Sequence, residues 1–497
     1  TMVANSSGLA EGESFEDNVW QKAYENILGI KIKYLWIVSG DQYPTKLSVT
    51  LASGEIPDLF DVGSQDLQML IDNELLADLT DVYDKYASPL TKEIIMQDGG
   101  IALQTSTFGS RLMAVPETNS ISDNIQMIWI RNDWLKNLEL EVPRTMEDLL
   151  DVAEAFVKND PDGNATNDTY GIAFAKDFVS QGVIGGSSSM GAFFYCYHAY
   201  PYGWIKDTSG SLVYAAIQDE MKAPLAKLQE LYRNGIIDPE FAVKDGTKVG
   251  ETIAAGKVGI SFGQMWNSIW PLQLNKNVDP NADWISIDLV SVDDRKAMSL
   301  VSAPIGNWHV ASKDAEHPEA LVKMTNLWIE KCFGPNAEPS VYSNADGVEV
   351  FKFSKFRVWP ATKNLDIYLS IKQATSSNDT SLLNPEAKGI YDQIVAYEAG
   401  DLSKWGMWAV FGPGSSQAIC DAVNQGKSWV FNEFYGSPTA TMTEKWATLL
   451  KLQDEAFLKI IMDKASIDEF DNYVEQWKKL GGDQITSEVN DWFEKKK

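Results

Sequence analysis

Tyr43-Pro44-Thr45-Lys46-Leu47-Ser48-Val49-Thr50-Leu51-Ala52, then Ser53-Gly54-Glu55-Ile56-Pro57, then Asp58-Leu59-Phe60-Asp61-Val62 is the stretch that decides the fold. It reads as a helix, a glycine- and proline-bearing turn, and a short apolar strand. Upstream the same grammar repeats. Trp20, Ala23, Tyr24 and Ile27 recur at helical spacing, Gly29 stops that helix, and Ile30 to Val38 is strand-like, rich in β-branched and aromatic residues. Strands alternating with helices of this length predict βαβ units and a parallel sheet. Ligands of such sheets gather at the carboxyl ends of strands. The loops Asn5 to Ser7 and Gly63 to Gln65 are therefore candidate binding loops, with Asn5, Ser64 and Gln65 as candidate ligand contacts.

Downstream, the apolar strand Met127-Ile128-Trp129-Ile130 runs straight into a helix start at Asn132-Asp133-Trp134, and Pro143 to Asp148 caps the next helix. The first crossing between lobes is placed here. A Gly/Ser-rich stretch (Gly185 to Ser189), an aromatic run from Phe193 to Trp204 and a helix stopped by Gly235 follow. The strand-rich segment Trp284 to Val310 carries the chain back, and the last hundred or so residues are strongly helical. A chain of 497 residues exceeds what one hydrophobic core supports. Two α/β lobes are expected: residues 1–130 with about 308–372, and 131–307 with about 373–497.

Composition narrows the function. With 42 basic and 70 acidic residues the net charge is −28, a field that repels phosphate backbones and anionic lipid, so nucleic acid is excluded as a partner. Three cysteines without CxxC spacing and three histidines leave little material for a zinc site, a disulfide framework or a histidine triad. No apolar run reaches 18 residues. The opening Thr1-Met2-Val3-Ala4-Asn5 resembles a strand already under way, which points to a mature chain with its targeting segment removed. Neither a G-x-S-x-G elbow nor a phosphate-binding glycine loop is present. Paired carboxylates for a glycosidase are not marked out among the acids.

The sharpest local motif is Asp160-Pro161-Asp162-Gly163-Asn164-Ala165-Thr166-Asn167-Asp168-Thr169. Oxygens from Asp160, Asp162, Asn164 and Asp168, with the Thr166 carbonyl, alternate as in a calcium loop, so a structural calcium ion is expected. The central glycine of such loops is Ala165 here and the twelfth-position glutamate is Gly171; without a metal the segment reads as an Asx-rich turn. The chain also carries 17 tryptophans. Trp266, Trp270, Trp308, Trp405 and Trp408 lie in loop-like, glycine-flanked stretches and are candidates for stacking on sugar rings, with core packing open for each. Arg131 and Arg357 are candidate clamps for a sugar carboxylate or ordinary salt-bridge partners.

Several segments together resemble the extracellular solute-binding proteins of family 1, in particular the longer lipoprotein type that binds alginate and aldouronate oligosaccharides for carbohydrate ABC importers. They are Leu51-Ala52-Ser53-Gly54-Glu55-Ile56-Pro57-Asp58, Ile130-Arg131-Asn132-Asp133-Trp134-Leu135, Asp168-Thr169-Tyr170-Gly171, Leu231-Tyr232-Arg233-Asn234-Gly235-Ile236-Ile237-Asp238-Pro239, Ala255-Gly256-Lys257-Val258-Gly259 and Trp477-Lys478-Lys479-Leu480-Gly481-Gly482. The resemblance implies a two-lobed periplasmic-binding-protein-like α/β fold with hinge crossings and a ligand cleft between the lobes. It implies an oligosaccharide ligand, an ABC transporter permease as partner, a monomer, calcium at 160–168, and a lipid anchor on the outer face of a Gram-positive cell membrane. A secreted carbohydrate-active hydrolase or lyase and a peptide-binding subunit are the alternative readings.

Overall fold

The computed structural model describes residues 1–5, 14–38, 42–176, 188, 190–343 and 349–496, with the side chains of Asn5 and Lys496 excepted. The chain forms two compact units. The first comprises Thr1–Ser120, Ala303–Lys363 and Gly436–Pro438; the second comprises Ile121–Ser302, Asn364–Tyr435 and Thr439–Lys497. The expected boundaries lay at 130, about 307 and about 372. Strand pairing accounts for the first two: among the described residues Met127–Arg131 pairs with strands of the second unit, and Ile305–Ala311 with strands of the first.

In the first unit Met2–Asn5 pairs parallel with Tyr34–Val38. The deciding stretch folds as read: a helix Tyr43–Ser53 ends at Gly54, whose φ of 78° is left-handed, and Leu59–Val62 is a strand. Its sheet departs from the parallel expectation. The central strand Ile305–Ala311 lies antiparallel to both Leu59–Val62 and Val115–Thr118. A strand contributed after the chain has visited the other unit need not follow the βαβ handedness of a local crossover, and this one arrives in the opposite direction. The helix Glu319–Phe333 backs the unit through Trp328, whose indole N–H donates to the Val358 carbonyl at 2.8 Å and whose ring lies 5.4 Å from Trp20.

The second unit holds a four-stranded sheet in the order Trp284–Ile287, Met127–Arg131, Val258–Gly263, Tyr170–Ala173, with the last pair parallel and the others antiparallel. The two central strands, Met127–Arg131 and Val258–Gly263, are buried throughout, as expected where a sheet is covered on both faces, and the edge strand Trp284–Ile287 is mostly half-buried. The helix Met146–Lys158 starts on a capping box between Thr145 and Asp148 and lays Leu149, Val152, Ala153 and Phe156 onto the sheet. It packs so closely that a Cβ on Gly259 would sit 2.1 Å from the Phe156 ring. The C-terminal helices Ala440–Ile461 and Glu469–Trp477 complete one of this unit's cores through Phe457, Tyr473 and Trp477. Among the described residues no helix is long and apolar enough to cross a membrane.

Candidate functional site

The first unit contains a cavity of about 530 Å³ at the carboxyl end of the strand Leu59–Val62. Its wall takes Asp61, Gly63 and Asp66 from that strand and the helix that follows, Glu117 from Val115–Thr118, Asn307 and His309 from the central strand, and Lys352, Lys355 and Arg357 from the segment after Val350. Tyr43 and Leu47 close one side and Phe356 another. The antiparallel register sets Asp61 opposite His309, 248 residues away in sequence, so neither could be marked from local pattern.

His309 is buried and both its ring nitrogens are engaged. Nδ1 lies 2.6 Å from Asp61 Oδ1, and Nε2 lies 2.9 Å from the Arg357 carbonyl oxygen. A carbonyl only accepts, so Nε2 carries a proton; with Asp61 ionised, Nδ1 donates too and the ring is an imidazolium. Burial opposes that charge, but the Asp61 carboxylate, Glu117 and the Arg357 carbonyl outweigh it and raise the His309 pKa. Burial pulls Asp61 upward, and the charges of His309, Lys355 and Arg357 with the His309 hydrogen bond hold it below the ordinary carboxylate range. His309 thus pins the backbone at Arg357, next to Phe356 with its left-handed φ of 58°.

The other charges sort into held and unheld. Arg357 reaches Glu117 at 3.4 Å, and Asn307 Nδ2 donates to Glu117 at 3.3 Å. Burial raises the Asp66 carboxyl in the first turn of the helix Ser64–Asp72. Lys355 is 7% exposed; its ammonium lies over the faces of Phe15 at 4.8 Å and Tyr34 at 5.5 Å, and burial pushes its pKa down to about 8. Of the loop residues singled out from sequence, Ser64 is half-buried and Gln65 exposed beside the cavity, whose wall includes neither. Asn5 ends its strand, and its side chain lies outside the described residues together with Ser6 and Ser7. Most of the Gly185–Ser189 stretch lies outside them too. Trp308 belongs to this unit, packs half-buried against its core, and donates its indole N–H to Thr105 at 3.1 Å.

The other four candidate stacking tryptophans belong to the second unit. Trp266, Trp405 and Trp408 meet in one apolar cluster, while Trp270 packs against Gly250. The Trp405 to Trp408 stretch is helical, within Trp405–Phe411, and not the irregular loop expected. Gly406 breaks no helix there: its Cβ would sit 3.0 Å from Ile269 Cα and the Ser268 carbonyl, so the glycine permits close packing. Trp405, at 2% exposure, is a core residue. Trp266 and Trp408 are half-buried, and their indole N–H groups, with Gln264 Oε1, Gln126 Oε1, Ser415 Oγ and Gln417 Oε1, are buried polar atoms without a hydrogen-bond partner. Unpaired polar atoms of this kind are costly and call for a completing group. Arg131 is committed elsewhere, bidentate to Asp133 at 2.6 and 2.8 Å and 4.6 Å from the Trp134 ring.

In the 160–168 loop Asn164 is the hub. Its amide N–H group donates to Asp162 at 2.8 Å and Asp168 at 3.2 Å, and the Asn164 and Ala165 backbone N–H groups donate to the Asp160 carboxylate at 3.1 and 2.9 Å. Ala165 occupies the left-handed region at φ 60°, where a calcium loop carries glycine. Burial and then the neighbouring Asp160 and Asp168 raise the Asp162 carboxyl. The donors are of the hard-oxygen kind calcium takes. Among the described residues no three His, Cys, Asp or Glu side chains are gathered tightly enough to hold a metal as they stand.

The sequence model of the family described as bacterial extracellular solute-binding protein matches residues 6–329. The polygalacturonan/rhamnogalacturonan-binding protein YtcQ of Bacillus subtilis is 23% identical over 96% of this chain and 88% of its own length. The lipoprotein LipO of the same organism is 24% identical over 96% and 89%. Among solved structures, the Streptococcus pneumoniae ABC-transporter substrate-binding protein FusA in complex with kestose superposes with a TM-score of 0.66 at 17% identity, covering 100% of this chain and 99% of that one. That likeness shows a shared two-lobed fold.

Proposed function

This chain belongs to the family of bacterial extracellular solute-binding proteins, and on that premise we propose that it is the substrate-binding subunit of an ABC importer, capturing an oligosaccharide by hinge closure and delivering it to a membrane permease. The observation that carries the reading is likeness along nearly the whole chain to a protein named for binding polygalacturonan and rhamnogalacturonan, together with the fold of a kestose-bound relative. The chemistry of the side chains supports it. A cavity of about 530 Å³ in the first unit offers carboxylates, an amide and cations, and the second unit offers indole N–H and amide oxygens without partners. Sugar hydroxyls both donate and accept, and are read by such groups.

The ligand leaves the protein unaltered in this reading: it is held, and closure around it stabilises the form the permease recognises. The protein acts as a monomer, tethered to the outer face of a Gram-positive cell membrane by a lipid anchor, a placement supported by its likeness to a lipoprotein. A structural calcium ion is held by Asp160, Asp162, Asn164, Asp168 and the Thr166 carbonyl, where it would replace the Asn164 amide as the hub of the loop. A thermal-shift screen against neutral and acidic oligosaccharides tests the function. A ligand that raises the melting temperature, and is recovered chemically intact, supports it; turnover of the sugar, or response only to peptides, would overturn it.

A further inference from the structure

Ser354, Lys355, Phe356 and Arg357 form one wall of the first unit's cavity, in a segment (residues 354–360) that belongs to no helix or strand. Side chains from elsewhere hold its backbone. The Lys355 N–H donates to the Tyr24 hydroxyl at 2.9 Å, and the Trp328 indole donates to the Val358 carbonyl at 2.8 Å. The Thr118 hydroxyl accepts from the Trp359 N–H at 3.1 Å and donates to its carbonyl at 2.7 Å. His309 Nε2 holds the Arg357 carbonyl at 2.9 Å. Of these anchors His309 alone changes its proton count near neutral pH, since burial keeps the Tyr24 phenol above its ordinary range. Its ring stands between two acceptors, the Asp61 carboxylate and the Arg357 carbonyl. An imidazolium satisfies both, whereas a neutral imidazole has one N–H. The carboxylate is the stronger acceptor, so the remaining proton stays on Nδ1. The Nε2 lone pair then faces the Arg357 carbonyl oxygen, and an anchor becomes a repulsion. The residue beside it, Phe356, holds a left-handed φ of 58° with its ring 5.2 Å from the imidazole, so this turn is strained where the anchor acts. The charges around the ring come from each neighbouring element. They are Asp61 on the strand Leu59–Val62, Asp66 on the helix Ser64–Asp72, Glu117 on Val115–Thr118, and Lys352, Lys355 and Arg357 in the wall and just before it.

We propose that His309 is a positioning residue for capture: as an imidazolium it holds Arg357 and this wall in place, and its deprotonation loosens the wall and weakens the grip on the ligand. The inference rests on the oligosaccharide-capture reading above. Burial opposes the charge, but Asp61, Glu117 and the Arg357 carbonyl raise the His309 pKa above the ordinary 6.5, so the loosening comes on the alkaline side of that value. Two measurements on the whole chain between pH 6 and pH 9 test it. Hydrogen–deuterium exchange, corrected for the intrinsic rate, reads the wall without any ligand. Peptides covering residues 354–360 should lose about tenfold in protection across that range while the helix Glu319–Phe333 keeps its own, and in His309→Gln the wall should be poorly protected throughout. Calorimetry reads the grip. Maltotriose, kestose, xylotriose and trigalacturonate are screened at pH 6, and the tightest binder is titrated at each pH. The wild-type Kd should rise about tenfold from pH 6 to pH 9. Lys355, with its pKa of about 8, is the other cavity group that titrates in this window; Lys355→Arg keeps that charge and should keep the profile, whereas His309→Gln should be weak and flat. A wild-type Kd or wall protection that does not change with pH overturns the inference, as does a profile lost in Lys355→Arg or kept in His309→Gln. Should His309→Gln fail to fold, the wild-type and Lys355→Arg profiles still decide. If no saccharide in the screen binds, the capture reading fails, and exchange alone decides whether His309 positions the wall.

Discussion

Lys355→Met should make the free protein more stable at neutral pH, and the gain should disappear at alkaline pH. Burial lowers the Lys355 pKa from 10.5 to about 8. Below pH 8 the folded protein therefore carries a charge it would rather shed. At 1.36 kcal/mol per pH unit, that depression amounts to about 3 kcal/mol of lost stability. The faces of Phe15 and Tyr34 offset a part of it, so about 2–3 kcal/mol is the expected gain when methionine takes the place of the ammonium at pH 7. Between pH 8 and 10.5 the unfolded chain still binds a proton that the folded chain has released, so wild-type stability rises with pH across that window. The advantage of the variant then falls below about 1 kcal/mol near pH 10. Urea unfolding followed by tryptophan fluorescence at pH 7 and pH 10, on both proteins, measures the difference. A variant less stable than wild type at pH 7, or a stability gap that does not change with pH, would refute the reasoning.

Three further perturbations follow from the geometry. Asp61→Ala leaves His309 without its counter-charge and should destabilise the protein by about 2–4 kcal/mol at pH 6, read by the urea midpoint. Because the folded His309 pKa is raised, the stabilisation it brings to the wild type is complete below pH 6.5 and fades as pH rises through the folded value; the variant should lack that slope, and an unchanged slope would contradict the pairing. Gly259→Ala drives a methyl group into the Phe156 ring and should cost about 1–3 kcal/mol, measured by thermal unfolding, whereas a neutral effect would mean the sheet and helix can separate freely. Chelation of calcium should lower the melting temperature and readdition restore it, with both responses abolished in Asp162→Ala; a temperature indifferent to millimolar calcium would remove the ion from the account.

Local patterns carried the elements well. The helix Tyr43–Ser53, its left-handed stop at Gly54, the similar stop at Gly29 and the strand Leu59–Val62 each follow from residues within a few positions. The helix Trp405–Phe411 was hidden because Gly406 looks like a breaker, and its reason for being glycine, contact with the backbone at Ser268 and Ile269, comes from elsewhere in the chain. The cavity was hidden for the same kind of reason. Asp61, Glu117 and His309 come from three strands joined by long-range antiparallel pairing, Lys355 comes from an irregular segment after them, and none belongs to a motif. One signal was available: in a chain of net charge −28, Phe351-Lys352-Phe353-Ser354-Lys355-Phe356-Arg357 interleaves three cations with aromatics. Only Arg357 of that run was singled out as a contact for an acidic sugar.

The central claim, that this chain holds an oligosaccharide and does nothing to it, is tested most directly by native mass spectrometry after incubation with a defined mixture of neutral and acidic oligosaccharides. The account predicts one adduct per chain whose mass equals that of a supplied oligosaccharide, with the mixture unchanged after prolonged incubation. Shortened or unsaturated products in the mixture, or a protein that carries no saccharide at any concentration tested, would contradict it.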